Sequence, residues 1–179
     1  GNRNIRLQEL KKDLSGPKEG GLDRILVSDS RNPGLGFEGS HFYKIDGMYY
    51  LFLIHSLPDR WMRTQACYVS DSLTGEFKGG DVLCDTMGYC GQGVAQGGIV
   101  DAPEQKWNAV LYQDRGAVGR IPVLVPVKWE KNVRVTCMPA PGEQKEQIIK
   151  ENYPVLGDSG RTLCEVETQS TRPDAQYHP

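Results

Sequence analysis

The chain has 179 residues, enough for one domain of moderate size or for part of a larger one. Its net charge of −2 provides no electrostatic footprint for nucleic acid or for an anionic membrane surface. No apolar run approaches the roughly 18 residues of a membrane-spanning helix, and no signal peptide precedes the first strand. We therefore expect neither a nucleic-acid nor a membrane partner, and the cellular location stays open.

Glycine and proline are plentiful, with 21 and 11 residues, and they separate short runs of aromatic and β-branched residues. This distribution favours an all-β protein rich in turns. The five cysteines have no C-x-x-C spacing, and an odd number cannot be fully paired within one chain. We therefore expect structural thiols rather than disulfides at Cys67, Cys84, Cys90, Cys137 and Cys164.

The N-terminal region contains two short candidate elements. Residues 5–10 are compatible with a helix, because Leu7, Leu10 and Leu14 have roughly helical spacing, or equally with a strand. Ser15-Gly16-Pro17 ends the element in either case. Residues 22–27 then predict a short strand, which a polar loop follows.

A β-hairpin is the strongest local prediction. Residues 41–45 and 48–55 are apolar-rich runs joined by Asp46-Gly47, and both positions of such a turn need positive φ. A third strand is expected over residues 64–70. Glu38 stands at the mouth of this hairpin, next to Phe37 and near several other aromatic residues. A carboxyl group in that setting can serve as a proton donor.

A second unit of the same design begins near Gly93. Strands are predicted over residues 95–100, 107–112, 121–129 and 133–136, and Gln96 takes the place that Glu38 has in the first unit. Repeated antiparallel units of this length predict an all-β fold made of four-stranded β-propeller blades. Since innermost strands line the channel of a propeller, the polar residues at their starts would converge on one site.

The pattern changes beyond Pro139. A short helix is expected over residues 146–150, and residues 158–179 are polar and rich in turn formers. We therefore divide the chain into a partial propeller domain over residues 1–138 and a helix-containing, polar C-terminal extension over residues 139–179.

Four segments, in the order in which the family has them, resemble glycoside hydrolase family 43. The segment EGSHFYKIDGMYYL (residues 38–51) is similar to the general-acid segment of that family, and GQGVAQGGIVD (residues 91–101) resembles the next blade. QDRGAVGRIPV (residues 113–123) and PVKW (residues 126–129) resemble its closing strands. The resemblance implies a five-bladed propeller, here present only in part, that hydrolyses xylosidic or arabinofuranosidic bonds with inversion.

The resemblance also implies roles for particular residues. The family uses an aspartate base, an aspartate that tunes the acid, and a glutamate acid; Glu38 has the position of the acid. Arg120 has the position of the arginine that contacts the sugar in the deepest subsite. Gln96 stands near a family histidine that touches the sugar or, through water, a central calcium. No cofactor is thus expected to be required, and a structural calcium in the channel is left open. The two aspartates belong to earlier blades, so the chain is expected to hold the later blades.

The residues themselves leave alternatives open. Arg120 could fork two hydrogen bonds onto vicinal hydroxyls or form a structural ion pair. Gln96 could bind a sugar hydroxyl or satisfy backbone groups in the channel. Trp61 could stack on a sugar face or pack on the propeller rim, and Phe37 completes the set of substrate-binding candidates. His41 is expected to be a hydrogen-bonded core histidine.

Two further residues are left open or assigned locally. His55 ends its strand near a loop and could be structural or functional. Asp114 is expected to form a local ion pair, since it adjoins the loop of Arg115 and Arg120.

Three functions are compatible with these observations. The first is a hydrolase acting on xylose- or arabinose-containing saccharides. The second is a carbohydrate-binding or inactive propeller without the catalytic base. The third is an interaction module whose incomplete blades associate with other blades or with a second copy, since open sheet edges favour association.

Overall fold

The computed structural model describes residues 3–131, 133–140, 143–150 and 152–156. The N-terminal region forms an antiparallel hairpin of β1 (Asn4–Gln8) and β2 (Asp23–Ser28). Of the two alternatives for residues 5–10, the structure therefore has the strand, and the strand predicted over residues 22–27 is confirmed. No helix in the described ranges is long and apolar enough to cross a membrane.

The first four-stranded sheet consists of β3 (Glu38–Ile45), β4 (Met48–Ser56), β5 (Arg63–Ser70) and β6 (Lys78–Leu83), in that order. We call it the first blade. Its predicted hairpin is confirmed, and Asp46 and Gly47 have φ values of 49° and 84°. Strand β6 was missed because it contains two glycines and few apolar residues. Gly79 is needed there, since a Cβ at this position would lie 1.9 Å from the carbonyl oxygen of Cys67.

The second four-stranded sheet begins with β7 (Ala95–Ala102), β8 (Lys106–Asp114) and β9 (Arg120–Glu130). Strands β10 (Val133–Ala140) and β11 (Glu143–Ile149) pair with each other, and β12 (Tyr153–Leu156) returns to pair with β9. We call the sheet of β12, β9, β8 and β7 the second blade. Its three long strands were predicted.

Two predictions about the C-terminal region were wrong. The fourth strand of the second blade is β12, whereas the segment predicted for that place, residues 133–136, lies in the separate β10–β11 hairpin. The helix predicted over residues 146–150 is replaced by β11, because pairing with β10 overrides the weak local helix preference of that segment. Residues 157–179 lie outside the described part of the chain, and so does the expectation made for them.

The main core lies between the two blades. Tyr50 and Phe52 of β4 pack with residues of the second blade, among them Leu111 and Val125. The Tyr153 hydroxyl of β12 donates to the carbonyl of Cys67 at 2.7 Å and accepts from the backbone N–H of Gly80 at 3.2 Å. This strand therefore ties the second blade to the first.

A second core covers the other face of the first blade. It includes Leu51 and Leu53 of β4, together with Val27 of β2 and Phe37 in the segment before β3. Strand β4 is consequently buried on both faces, whereas the second blade has one covered face. The two blades place the starts of β3 and β7 side by side, and that is where the candidate site lies.

Candidate functional site

Each innermost strand carries a β-bulge near its start. The register shifts between Glu38 and His41 in β3 and between Ala95 and Gly98 in β7. Gly39 and Gln96 have left-handed φ values of 60° and 66° in these bulges. The equivalence of Glu38 and Gln96 expected from the sequence is therefore off by one position: Gln96 corresponds to Gly39, and Glu38 to Ala95.

The two bulges pack against each other. A Cβ added at Gly39 would lie 3.4 Å from Cγ of Gln96 and 3.2 Å from Ile54, the cross-strand partner of Glu38. Glu38 is half-buried and immediately precedes Gly39. The structure thus brings the start of β3, where Glu38 lies, beside the side chain of Gln96.

Arg120 and Gln96 meet directly. Nη1 of Arg120 donates to Oε1 of Gln96 at 2.5 Å, and Nε donates to Oδ1 of Asp114 at 3.0 Å. The other oxygen of Asp114 forms an ion pair with Arg63, whose side chain is buried. The expected ion pair of Asp114 is present, and the carboxylate joins two guanidinium groups. The Arg120 side chain remains 48% exposed, so it is both oriented and accessible.

A cleft of about 530 Å³ opens beside this pair. Its lining includes polar groups of His41, Tyr43, Gln96, Tyr112 and Arg120. Imidazole, phenol, amide and guanidinium groups beside aromatic rings suit a neutral ligand with many hydroxyls better than an apolar one. Glu38 stands next to this cleft through Gly39 rather than among its lining residues.

The prediction for His41 was wrong. Its side chain is exposed and lines the cleft instead of lying in the core. Gly98 makes room for it, because a Cβ there would lie 2.9 Å from Nδ1 of His41 and 2.0 Å from the Tyr43 hydroxyl. That hydroxyl accepts a hydrogen bond from the backbone N–H of Ile99 at 3.1 Å. The bulge after Glu38 changes the alternation of the strand, and the sequence pattern did not reveal the bulge.

The two aromatic candidates lie outside the cleft. Phe37 is only 4% exposed, and its ring packs edge-on against His55 at 5.0 Å and Tyr68 at 5.5 Å between ring centroids. The structure therefore places Phe37 in the core of the first blade and outside the cleft lining. Trp61 is 63% exposed in the loop after β4 and is not among the cleft-lining residues.

A buried charge cluster lies behind Phe37. Nε2 of His55 is 2.7 Å from Oδ1 of Asp81, and Nδ1 is 3.2 Å from Oδ2 of Asp29. Burial lowers the pKa of His55, but the carboxylates of Asp81 and Asp29 outweigh this effect and raise the pKa to about 10. His55 is therefore charged at neutral pH. Its position at a strand end was noted from the sequence, but its two carboxylate partners come from distant segments.

The residues at Gln96 do not fit a calcium site. The side-chain oxygen of Gln96 accepts a hydrogen bond from the guanidinium of Arg120, and this positive group disfavours a cation there. Across the described ranges, no cluster of three or more His, Cys, Asp or Glu side chains could hold a metal ion.

Solved structures show which proteins this architecture is similar to. The chain is 40% identical to a bifunctional GH43-CE protein from Bacteroides eggerthii, with a TM-score of 0.68 over 90% of this chain and 18% of that protein. The GH43 protein BlXynB from Bacillus licheniformis matches at 20% identity and a TM-score of 0.60, over 88% of this chain and 28% of that protein. No family model and no curated protein matches the chain.

A third solved structure has the same fold. It is the α-L-arabinanase of Cellvibrio cellulosa in complex with arabinohexaose, with 16% identity and a TM-score of 0.55 over 82% of this chain and 50% of that protein. The two four-stranded sheets are thus blades of a β-propeller. The resemblance of the chain to glycoside hydrolase family 43 is thereby confirmed, and the chain spans about a fifth of the length of the Bacteroides protein.

Proposed function

We propose that the chain contributes the general acid to the active site of a glycoside hydrolase. This enzyme cleaves xylosidic or arabinofuranosidic bonds with inversion of configuration. One observation carries this proposal: Glu38, Gln96 and Arg120 lie at the same end of two adjacent blades, where the bulges of β3 and β7 pack together. The family resemblance of residues 38–51 supports Glu38 as the acid. The identity to a Bacteroides GH43-CE protein supports the reaction class.

In this proposal each residue has one task. Glu38 protonates the leaving oxygen, while Arg120 and Gln96 hold sugar hydroxyls in the cleft. An inverting enzyme also needs a base about 6.5–9.5 Å from the acid, so that a water fits between the base and the sugar. Asp29 and Asp81 are poor candidates for this base, because both are buried against His55.

Asp114 is also a poor candidate for the base. Asp114 pairs with both Arg63 and Arg120, so both of its carboxylate oxygens are already engaged by guanidinium groups. We therefore assign the base to a different blade of the complete site. Xylose- or arabinose-containing saccharides are the proposed partners.

Leaving-group dependence tests the role of Glu38. A general acid matters most when the leaving group is a poor one, such as a sugar alkoxide, and little when it is a nitrophenolate. We expect Glu38→Gln to lower turnover of unactivated xylo- and arabino-oligosaccharides by ~10²–10⁴-fold. The same substitution should reduce turnover of 4-nitrophenyl xylosides and arabinofuranosides far less. Equal losses on both substrate classes would contradict the assignment.

The same assays distinguish a carbohydrate-binding or inactive propeller from a hydrolase. If the chain binds oligosaccharides but turns over neither substrate class at any pH, it is a binding or inactive propeller portion. If it neither binds nor hydrolyses them, the saccharide function as a whole is wrong.

A second candidate function is association with a further blade or a second copy. Exposed apolar side chains of the second blade include Leu124 and the cleft-lining residues Val100, Val110 and Tyr112. Exposed apolar side chains on a sheet favour packing against another sheet. We expect Leu124→Asp to reduce concentration-dependent self-association in sedimentation analysis. A wild-type chain that stays monomeric at high concentration would contradict self-association.

A further inference from the structure

Two buried polar side chains of the first blade face the site residues of the second. Arg63 and Gln65 are 6% and 0% exposed, and they alternate along β5, so they lie on the same face of that strand. Burying such groups is costly unless they are paired. The groups that pair with Arg63 and Gln65 therefore indicate the roles of these two side chains.

Gln65 holds the backbone of the bulge in β7. Its Oε1 accepts the N–H of Gln96 at 2.7 Å, and its Nε2 donates to the carbonyl of Gly97 at 3.3 Å. The register of β7 with β8 shifts between Ala95 and Gly98, so Gln96 and Gly97 lie outside that ladder. The amide of Gln65 replaces the missing strand partner and supports the left-handed φ of 66° at Gln96, which side-chain-bearing residues rarely adopt.

Arg63 holds the carboxylate that orients Arg120. The buried guanidinium pairs with Oδ2 of Asp114, and Oδ1 of the same carboxylate accepts from Nε of Arg120. Nη2 of Arg63 makes no hydrogen bond in this contact, so the arginine restrains the carboxylate through the ion pair alone. The position of Arg120 is consequently set from two sides, by Asp114 and by Gln96.

We propose that Arg63 and Gln65 are positioning residues: acting through Asp114 and Gln96, they fix the guanidinium of Arg120 in the cleft. The first blade then sets the geometry of a ligand-binding group that belongs to the second. Preorganisation of this kind improves binding, because the arginine does not have to be ordered when the ligand arrives. The ligand-binding role of Arg120 rests on the function proposed above, whereas its fixed orientation does not.

Solvent exchange of the Arg120 Nε–H measures the orientation directly. The signal is observable by ¹⁵N NMR in the ligand-free chain and is assigned by its loss in Arg120→Lys. We expect Gln65→Met, which keeps the volume but loses both hydrogen bonds, to speed this exchange about tenfold. The conservative variant Gln65→Glu, measured near pH 5 where burial keeps the carboxyl protonated, should restore slow exchange, since it retains the acceptor and the donor.

Gln113 provides a matched control. It is also a fully buried glutamine and neighbours Asp114 in β8, but its Nε2 donates to the carbonyls of Thr86 and Gln92 at 2.5 and 2.6 Å rather than to a partner of Arg120. Gln113→Met should cost similar stability and leave the Arg120 signal unchanged. Equal exchange rates in wild type, Gln65→Met and Gln113→Met would overturn the proposal for Gln65.

Arg63→Lys tests the positioning role if Gln65→Met does not fold. Lysine keeps the positive charge opposite Asp114 but lacks the planar fork of arginine. We expect Arg120 Nε–H exchange to become about three- to tenfold faster in this variant. An unchanged rate in a folded Arg63→Lys protein would overturn the role of Arg63.

Titration with xylo- and arabino-oligosaccharides links the orientation to binding. We expect Gln65→Met to weaken binding about tenfold and Gln113→Met to change it less than about twofold. Absence of any binding by the wild type would contradict the proposed saccharide function but leave the NMR result to judge the positioning role. Unaltered affinity in Gln65→Met, with wild-type binding present, would contradict the link between the two.

Discussion

The two blades have the same four-stranded design but differ in how many of their faces are covered. In β4 of the first blade, every side chain from Tyr50 to Ser56 is buried, because the second blade covers one face and the β1–β2 hairpin the other. In β8 of the second blade, the buried residues Ala109, Leu111 and Gln113 alternate with more exposed ones.

This difference shows which sheet faces are covered by other parts of the chain and which are open. A continuous apolar run predicts a strand inside a layered structure, whereas alternation predicts a strand with one open face. The first blade is therefore covered on both faces, whereas the second has an open face whose exposed apolar side chains include part of the cleft lining.

Removing the buried histidine should damage the first blade most. His55→Gln leaves Asp29 and Asp81 buried without their cation, so we expect the free energy of unfolding to fall by ~3–5 kcal/mol. Urea denaturation at pH 6 measures the loss. His41→Gln is the control, since this exposed histidine should change the stability by less than ~0.5 kcal/mol.

The same cluster predicts a pH dependence. The pKa of His55 is raised in the folded protein to about 10 from an ordinary value of 6.5. The stabilisation by charged His55 is therefore fully present below pH 6.5 and is lost as the pH rises through 10. The stability difference between wild type and His55→Gln should shrink over that range, and a constant difference from pH 6 to pH 10 would rule out the charged cluster.

A pair of leucine truncations compares the two blades directly. Leu53 is fully buried in β4, whereas Leu124 is 65% exposed on the open face of the second blade. We expect Leu53→Ala to lower the free energy of unfolding by ~2–5 kcal/mol and Leu124→Ala to change it by less than ~0.5 kcal/mol. Similar losses at low protein concentration would mean that the open face is covered in solution.

Tyr153 tests the strand that joins the blades. Tyr153→Phe removes the hydroxyl that bonds to Cys67 and Gly80 but keeps the buried ring, so we expect a loss of ~1–2 kcal/mol. Thermal unfolding monitored by calorimetry measures it. An effect near zero would indicate that β12 does not pack on the first blade as described.

The smallest effect concerns the thiols. Cys67 is buried between the blades, and burial raises the pKa of its thiol well above 9.0, whereas Cys90 is exposed in the loop before β7. A thiol reagent at neutral pH should label Cys90 within the folded protein, and Cys90→Ser should abolish labelling at this position only. Rapid labelling of Cys67 in the folded state would show that the blades separate.

Sequence reasoning predicted most strands because their patterns are local. The Asp46-Gly47 turn and the alternation in residues 107–112 are readable from neighbouring residues alone. The strands that were not predicted depend on pairing with other segments. Strand β11 forms because β10 lies beside it, and β12 joins β9 across the intervening hairpin. Glycine-rich β6 is a strand because its backbone lies close to that of β5.

The same contrast between local patterns and contacts with other segments applies to the candidate site. Arg120 and Gln96 were predicted from motifs, and the structure brings them into hydrogen-bond contact. The burial of Phe37 and the exposure of His41 were missed, because the bulge at Gly39 is invisible in the alternation of side chains. Arg63 and Gln65 were missed because their partners lie on another sheet.

Calorimetric titration of the 179-residue chain with xylo- and arabino-oligosaccharides tests the central claim most directly. The claim is that the cleft beside Glu38, formed with Gln96 and Arg120, binds a saccharide. We predict saturable binding that Arg120→Met weakens by about tenfold or more and that Glu38→Gln leaves nearly unchanged, since a proton donor acts in the reaction rather than in binding. Absence of saturable binding, or binding that Arg120→Met does not affect, would contradict it.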